Sequence, residues 1–125
     1  MRKTISTNLA PQAIGPYEQA IQVDNFIFVS GQIPLNADGV LVQGDIVDQT
    51  KQIMQNIQAI LNEAEASLDD VVKSTIFLTD MQLFGVVNQV YETFFPNQKP
   101  ARSTVAVKEL PKNASLEIEV IAFKK

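Results

Sequence analysis

The chain has 125 residues, 46% apolar and 19% charged, a length suited to a single compact domain that builds a core without disulfide or metal staples. With neither cysteine nor histidine, it has no thiolate or imidazole metal ligand, no Ser-His-Asp triad and no cysteine nucleophile. Its formal charge of −4, with no basic run, disfavours binding to nucleic acid, and no apolar stretch has the length of a secretory leader or a bilayer span, so a cytoplasmic protein with no membrane partner is expected.

Along the chain, Ile14-Gly15-Pro16-Tyr17 is a break ahead of two β-like runs, Ala20 to Val23 and Phe26 to Ser30, joined as a hairpin at Asp24-Asn25. In the second run Phe26 and Phe28 point to one face and Ile27 and Val29 to the other, so such a strand needs cover on both sides. Ser30-Gly31-Gln32-Ile33-Pro34 and Asn36-Ala37-Asp38-Gly39 read as a loop ending near Gly44-Asp45, where Asp45 is placed to cap a helix. From Ile46 to about Glu65, apolar residues recur at offsets of three, four and seven, the stripe of a long amphipathic helix.

Ser67 to Asp70 then turns into a strand from Val71 to Thr79, and Asp80 caps a second helix. Leu83, Phe84, Val87, Val90, Tyr91, Phe94 and Phe95 form its buried stripe, and Pro96 stops it. Pro100-Ala101 leads into a strand at Ser103 to Val107, and after Leu110 to Ser115 the chain closes with a strand from Leu116 to Phe123. Strands, helix, strand, helix, strands is the order of an α+β domain spanning residues 1–125, with a mixed β-sheet and both helices packed on one of its faces. On the last strand Glu117 and Glu119 alternate with Leu116, Ile118 and Val120 and emerge on the face away from the apolar set. A wet second face suits these carboxylates but not the two-sided apolar run from Phe26 to Val29, so another subunit is expected to cover part of it, leaving clefts between chains.

Arginine is scarce: eight lysines accompany only Arg2, at a terminus read as frayed, and Arg102. A guanidinium presents a fork that grips a carboxylate at two points, which an ammonium does not; the plain alternative is a surface salt bridge. Glu117 is either a solvated carboxylate, a partner of Arg102, or an acid/base that orients water. Tyr17 is a core ring or a cleft wall, Gly31 a turn residue or part of a binding loop, and Asn88 a solvated helix residue or a ligand contact. Asp45, Asp48, Asp69 and Asp70 read as caps rather than as a metal site.

Taken together, Ile14-Gly15-Pro16-Tyr17, Val29-Ser30-Gly31-Gln32-Ile33-Pro34, Val87 to Phe95, and Pro100-Ala101-Arg102-Ser103 followed by Leu116-Glu117-Ile118-Glu119 resemble the RidA family, also called YjgF/YER057c/UK114, over essentially the whole chain. The resemblance implies a chorismate-mutase-like α+β fold, a homotrimer with ligand clefts between subunits, and hydrolysis of reactive 2-imino (enamine) acids to 2-oxo acids and ammonia, with neither cofactor nor metal. It implies that Arg102 holds the substrate carboxylate and Glu117 positions or activates water, with Tyr17, Ser30, Gly31 and Asn88 lining the cleft and the backbone N–H near Thr104 contacting the reacting end. Many relatives have cysteine where Thr104 stands, so a thiol-dependent role is absent here while a backbone contact survives.

An imine carbon is already electrophilic, so its hydrolysis asks only for orientation and a carboxylate to steer water and protons. One geometric condition follows. If the last two strands were a simple hairpin, Arg102 and Glu117 would stand ~20 Å apart at ~3.3 Å per residue. Either these strands are not hairpin neighbours, or the two residues meet from different subunits. Three rival classes remain: a 2-oxo-acid-binding regulatory module, an endoribonuclease and a holdase-like chaperone.

Overall fold

In the computed structural model, which describes residues 1–125, a mixed six-stranded sheet runs in the order β1-β2-β3-β6-β4-β5. Its strands are β1 (Arg2–Ile5), β2 (Ala20–Val23), β3 (Phe26–Gln32), β4 (Val71–Leu78), β5 (Ala101–Ala106) and β6 (Leu116–Phe123). Two helices, α1 (Ile46–Glu63) and α2 (Phe84–Thr93), cover one face. No helix is long and apolar enough to cross a membrane.

Local chemistry explains most of these elements. The Asp45 carboxylate accepts the backbone N–H of Asp48 at 3.0 Å and starts α1, whose Ile53, Met54, Ile57, Ile60 and Leu61 are wholly buried. Asp80 caps a short 3₁₀ turn, Met81–Leu83, rather than α2 directly, by accepting from Gln82 N–H. The β2–β3 hairpin turns at Asp24, whose φ of 52° is a left-handed conformation that Asp tolerates. The long connection before β6 contains a 3₁₀ turn, Pro111–Asn113.

Two expectations are corrected. Arg2 is not frayed: Arg2–Ile5 pairs antiparallel with β2 as an edge strand, and only Ile5 of it is buried. With one apolar side chain to bury, β1 has no period for a sequence reading to detect. Gly31 and Gln32 belong to β3, continuing the strand past Ser30, rather than to a loop. The β3–β6 register runs from Val29 opposite Val120 to Gln32 opposite Ile118, so Ser30 and Gly31 together face Glu119 across a bulge.

The strand order decides where the candidate residues go. β5 and β6 are not hairpin neighbours, because β4 lies between them, parallel to β5 and antiparallel to β6. Arg102 pairs with Ser74 and Glu117 with Phe77, three residues apart on β4 and therefore on opposite faces. Arg102 faces α2. Glu117 faces the side without helices, where Phe26, Phe28 and Phe123 are 42%, 44% and 38% exposed and stack at centroid distances of 6.2 and 5.0 Å.

Candidate functional site

Arg102 stands on the edge strand β5 and reaches back over α2. Its Nη1 donates to Asn88 Oδ1 at 2.7 Å, and its guanidinium carbon lies 5.2 Å from the Phe84 ring centroid and 5.1 Å from that of Tyr91. Phe84, Asn88 and Tyr91 are spaced by four and three residues, so they share one side of α2. That spacing was visible in the sequence, where Asn88 reads as a solvated residue or a ligand contact, but Phe84 and Tyr91 read only as part of the buried stripe.

Tyr91 is buried, and its hydroxyl is hydrogen-bonded to that of Ser74. Burial pushes its phenol above the ordinary value, while the Ser74 hydrogen bond and the Arg102 charge pull the other way. Tyr91 therefore serves as a neutral platform beneath the cation. Arg102 has no carboxylate partner, since the chain's only ion pair joins the Met1 amino group to Asp24. This removes both the surface salt bridge and a pairing with Glu117 within one chain. An oriented guanidinium with free donors, beside a pocket of about 340 Å³, is equipped to take a small carboxylate.

Glu117 sits in a second cleft, of about 300 Å³, together with Gly31 and Tyr17. A Cβ on Gly31 would overlap the Glu117 carboxylate and force that side chain aside, so the glycine leaves room for the carboxylate rather than making a turn. Burial raises the Glu117 carboxyl above the usual carboxylate range, and the Glu119 charge raises it further. Such a group exchanges protons closer to neutral pH than an ordinary glutamate does. Tyr17 is 52% exposed and forms a cleft wall rather than a core ring.

The remaining candidates flank these two centres. Ser30 donates its hydroxyl to Glu18 O at 2.6 Å and its N–H to Gln19 O at 2.9 Å, and it lines a hollow on the other side of Tyr17. Thr104 lies two residues beyond Arg102 on β5, with a buried hydroxyl that has no hydrogen-bond partner. One chain thus brings together Tyr17, Gly31 and Glu117 at one place and Asn88 and Arg102 at another.

A layer of helices on a mixed sheet, with an unpaired arginine beside one pocket and a half-buried glutamate in another, defines a small α+β domain with two candidate binding clefts. Comparison with known proteins specifies the class. The family described as endoribonuclease L-PSP matches residues 7–124, and the chain belongs to it, the family also called RidA or YjgF. A mouse protein named 2-iminobutanoate/2-iminopropanoate deaminase is 47% identical over 98% of this chain and 91% of its own length. The crystal structure of yeast Mmf1 superposes with a TM-score of 0.98 at 47% identity and covers all of both chains. The structure of Escherichia coli TdcF with bound serine gives a TM-score of 0.94 at 40% identity, over 98% of this chain and 99% of that one.

Proposed function

We propose that the protein is a cytoplasmic hydrolytic deaminase that converts reactive 2-imino acids and their enamine tautomers, such as 2-iminobutanoate and 2-iminopropanoate, to 2-oxo acids and ammonia, and so protects pyridoxal-phosphate enzymes. The observation that carries this reading is the Arg102 fork, held by Asn88 between two aromatic rings and left without an acid of its own chain. The name of the mouse relative supports it.

The substrate carboxylate lies on the Arg102 guanidinium, oriented by Asn88. Glu117 accepts a proton from water as the oxygen adds to the imine carbon. The C=N π bond breaks, its nitrogen takes up a proton, and the resulting carbinolamine loses ammonia as its C–O bond becomes the 2-oxo carbonyl. Thr104 offers a backbone N–H on an edge strand whose outer side has no strand partner. Tyr17, Ser30 and Gly31 bound the space around the reacting carbon. Because Arg102 and Glu117 occupy opposite faces of one sheet, they work together in a cleft between protomers of a homotrimer. The exposed phenylalanines of the open face are the surface that assembly covers.

The direct test generates 2-iminobutanoate with a pyridoxal-phosphate dehydratase and follows its loss together with ammonia release. Acceleration over the spontaneous rate is expected; equal rates with and without the protein would end the proposal. The bound serine of TdcF favours a second reading, a module that senses small amino or 2-oxo acids. Binding of 2-oxobutanoate without ammonia release would establish it. RNA is expected to remain intact, since the chain has no imidazole and a net charge of −4.

Two further outcomes follow from the Glu117 cleft. In Gly31→Ala the new methyl displaces the carboxylate, and turnover is expected to fall on the order of 10- to 100-fold, the range for a misplaced catalytic group. The Arg102 pocket stays intact, so a 2-oxo acid should still bind; retained turnover would show that the carboxylate position is immaterial. Glu119→Gln removes a charge that raises the Glu117 carboxyl, so the Glu117 titration moves down. If ionised Glu117 takes the proton from water, the acid limb of the activity profile shifts to lower pH. An unmoved limb would assign it to another group.

A further inference from the structure

Besides Gln19 and the Pro111–Lys112 turn, the cleft beside Glu117 is lined by two loops, the N-terminal one, which contributes Pro11 and Ile14, and the one after β3, which contributes Ile33 and Leu35. Neither loop belongs to the sheet or to a helix. A buried amide side chain fastens each to the body of the domain. Gln19, 3% exposed, accepts Thr7 N–H at 2.7 Å through Oε1, and its Nε2 donates to Thr7 O at 3.1 Å, Pro11 O at 2.7 Å and Ala10 O at 3.5 Å. Asn56, 1% exposed on α1, donates from Nδ2 to Leu35 O at 2.8 Å, while its Oδ1 accepts from Gln52 Nε2 at 2.9 Å.

None of these loop groups has a backbone partner. An apolar side chain at position 19 or 56 would fill the same space but hold no loop backbone in place. It would leave Thr7 N–H and Pro11 O, or Leu35 O, without their partner, while Thr7 O would keep only Gln12 Nε2 at 3.0 Å. Asn56 therefore acts on the cleft from behind its wall, while Gln19 lines the cleft with both ends of its amide already engaged by loop backbone.

We infer that Gln19 and Asn56 are positioning residues that fix the separation of the two apolar walls beside Glu117, and thereby set how long a side chain the bound 2-imino or 2-oxo acid carries. The inference rests on the proposed function for the identity of the ligand's head group. Gln12, Gln32 and Lys112 also line the cleft, and Pro11, Ile14, Ile33 and Leu35 form its apolar part. That part meets an aliphatic side chain, and a pocket held rigidly discriminates between chain lengths better than a yielding one does.

The test is calorimetric titration of 2-oxobutanoate and of the longer 4-methyl-2-oxopentanoate into the wild-type protein, Gln19→Leu, Asn56→Ala and Leu35→Ala. Binding needs no turnover, and it reads the ratio of two affinities. Loss of either amide is expected to shift that ratio toward the longer ligand by roughly tenfold or more, the lower end of the range for one methylene. Leu35→Ala, which trims the wall itself, should shift it in the same direction. A purely structural amide lowers the unfolding temperature and weakens both ligands alike, so a ratio constant within about twofold in the folded variants overturns the inference. Should Gln19→Leu fail to fold, Asn56→Ala and Leu35→Ala decide the matter from the other wall. If wild-type protein binds neither 2-oxo acid, the head-group reading fails and takes this inference with it; binding with an unchanged ratio defeats the inference alone.

Discussion

Arg102→Ala is expected to abolish measurable acceleration of 2-iminobutanoate hydrolysis while leaving the fold in place. A charge-assisted hydrogen bond contributes about 1.5–3 kcal/mol, and a bidentate grip makes two. At about 1.4 kcal/mol per tenfold, kcat/KM should therefore fall on the order of 100-fold or more. The structural cost is small because the side chain is exposed on an edge strand. Its removal forfeits one hydrogen bond to Asn88 and the contacts with Phe84 and Tyr91, on the order of 1 kcal/mol. Arg102→Lys keeps the charge without the fork and should recover only part of the loss. Steady-state kinetics beside a thermal melt separate the cases: full activity in a folded Arg102→Ala protein would remove the arginine from the mechanism.

How far the site could be read from the sequence depended on how local the determining physics was. The hairpin at Asp24, the long stripe of α1 and the alternation of Glu117 with Leu116 and Ile118 are set by neighbours a few residues away, and each stands where periodicity placed it. β1 was missed because a strand such as Arg2-Lys3-Thr4-Ile5, held by backbone pairing at a sheet edge, carries no hydrophobic period. The bulge at Ser30 and Gly31 was missed because it is defined by the register against β6, about ninety positions along the chain. Whether Arg102 and Glu117 face each other depends on β4 inserting between β5 and β6, and no spacing within the last twenty-five residues contains that information. The buried amides Gln19 and Asn56 drew no attention, since a glutamine or asparagine in a sequence does not reveal that loop backbone will close around it.

The separation of Arg102 and Glu117 leads to the second large effect. Each alone should be required, so homomeric Arg102→Ala and Glu117→Ala proteins should both be inactive in the coupled assay. In a ring of like subunits, each interface joins one surface of a protomer to a different surface of its neighbour. If a working centre takes its arginine from one protomer and its glutamate from the next, a mixed ring holds some interfaces where both native residues meet. Unfolding and refolding an equimolar mixture should then restore activity to about a quarter of wild type by random assortment in such heterologous interfaces. Sedimentation should give the mixture and both parents the same trimeric mass. If instead each centre draws both residues from one chain, every centre in the mixture carries a defect and activity stays at the level of the parents. The opposed faces of β4, with Ser74 beside Arg102 and Phe77 beside Glu117, are the reason to expect recovery. A rigid sheet does not turn one side chain through itself to meet the other.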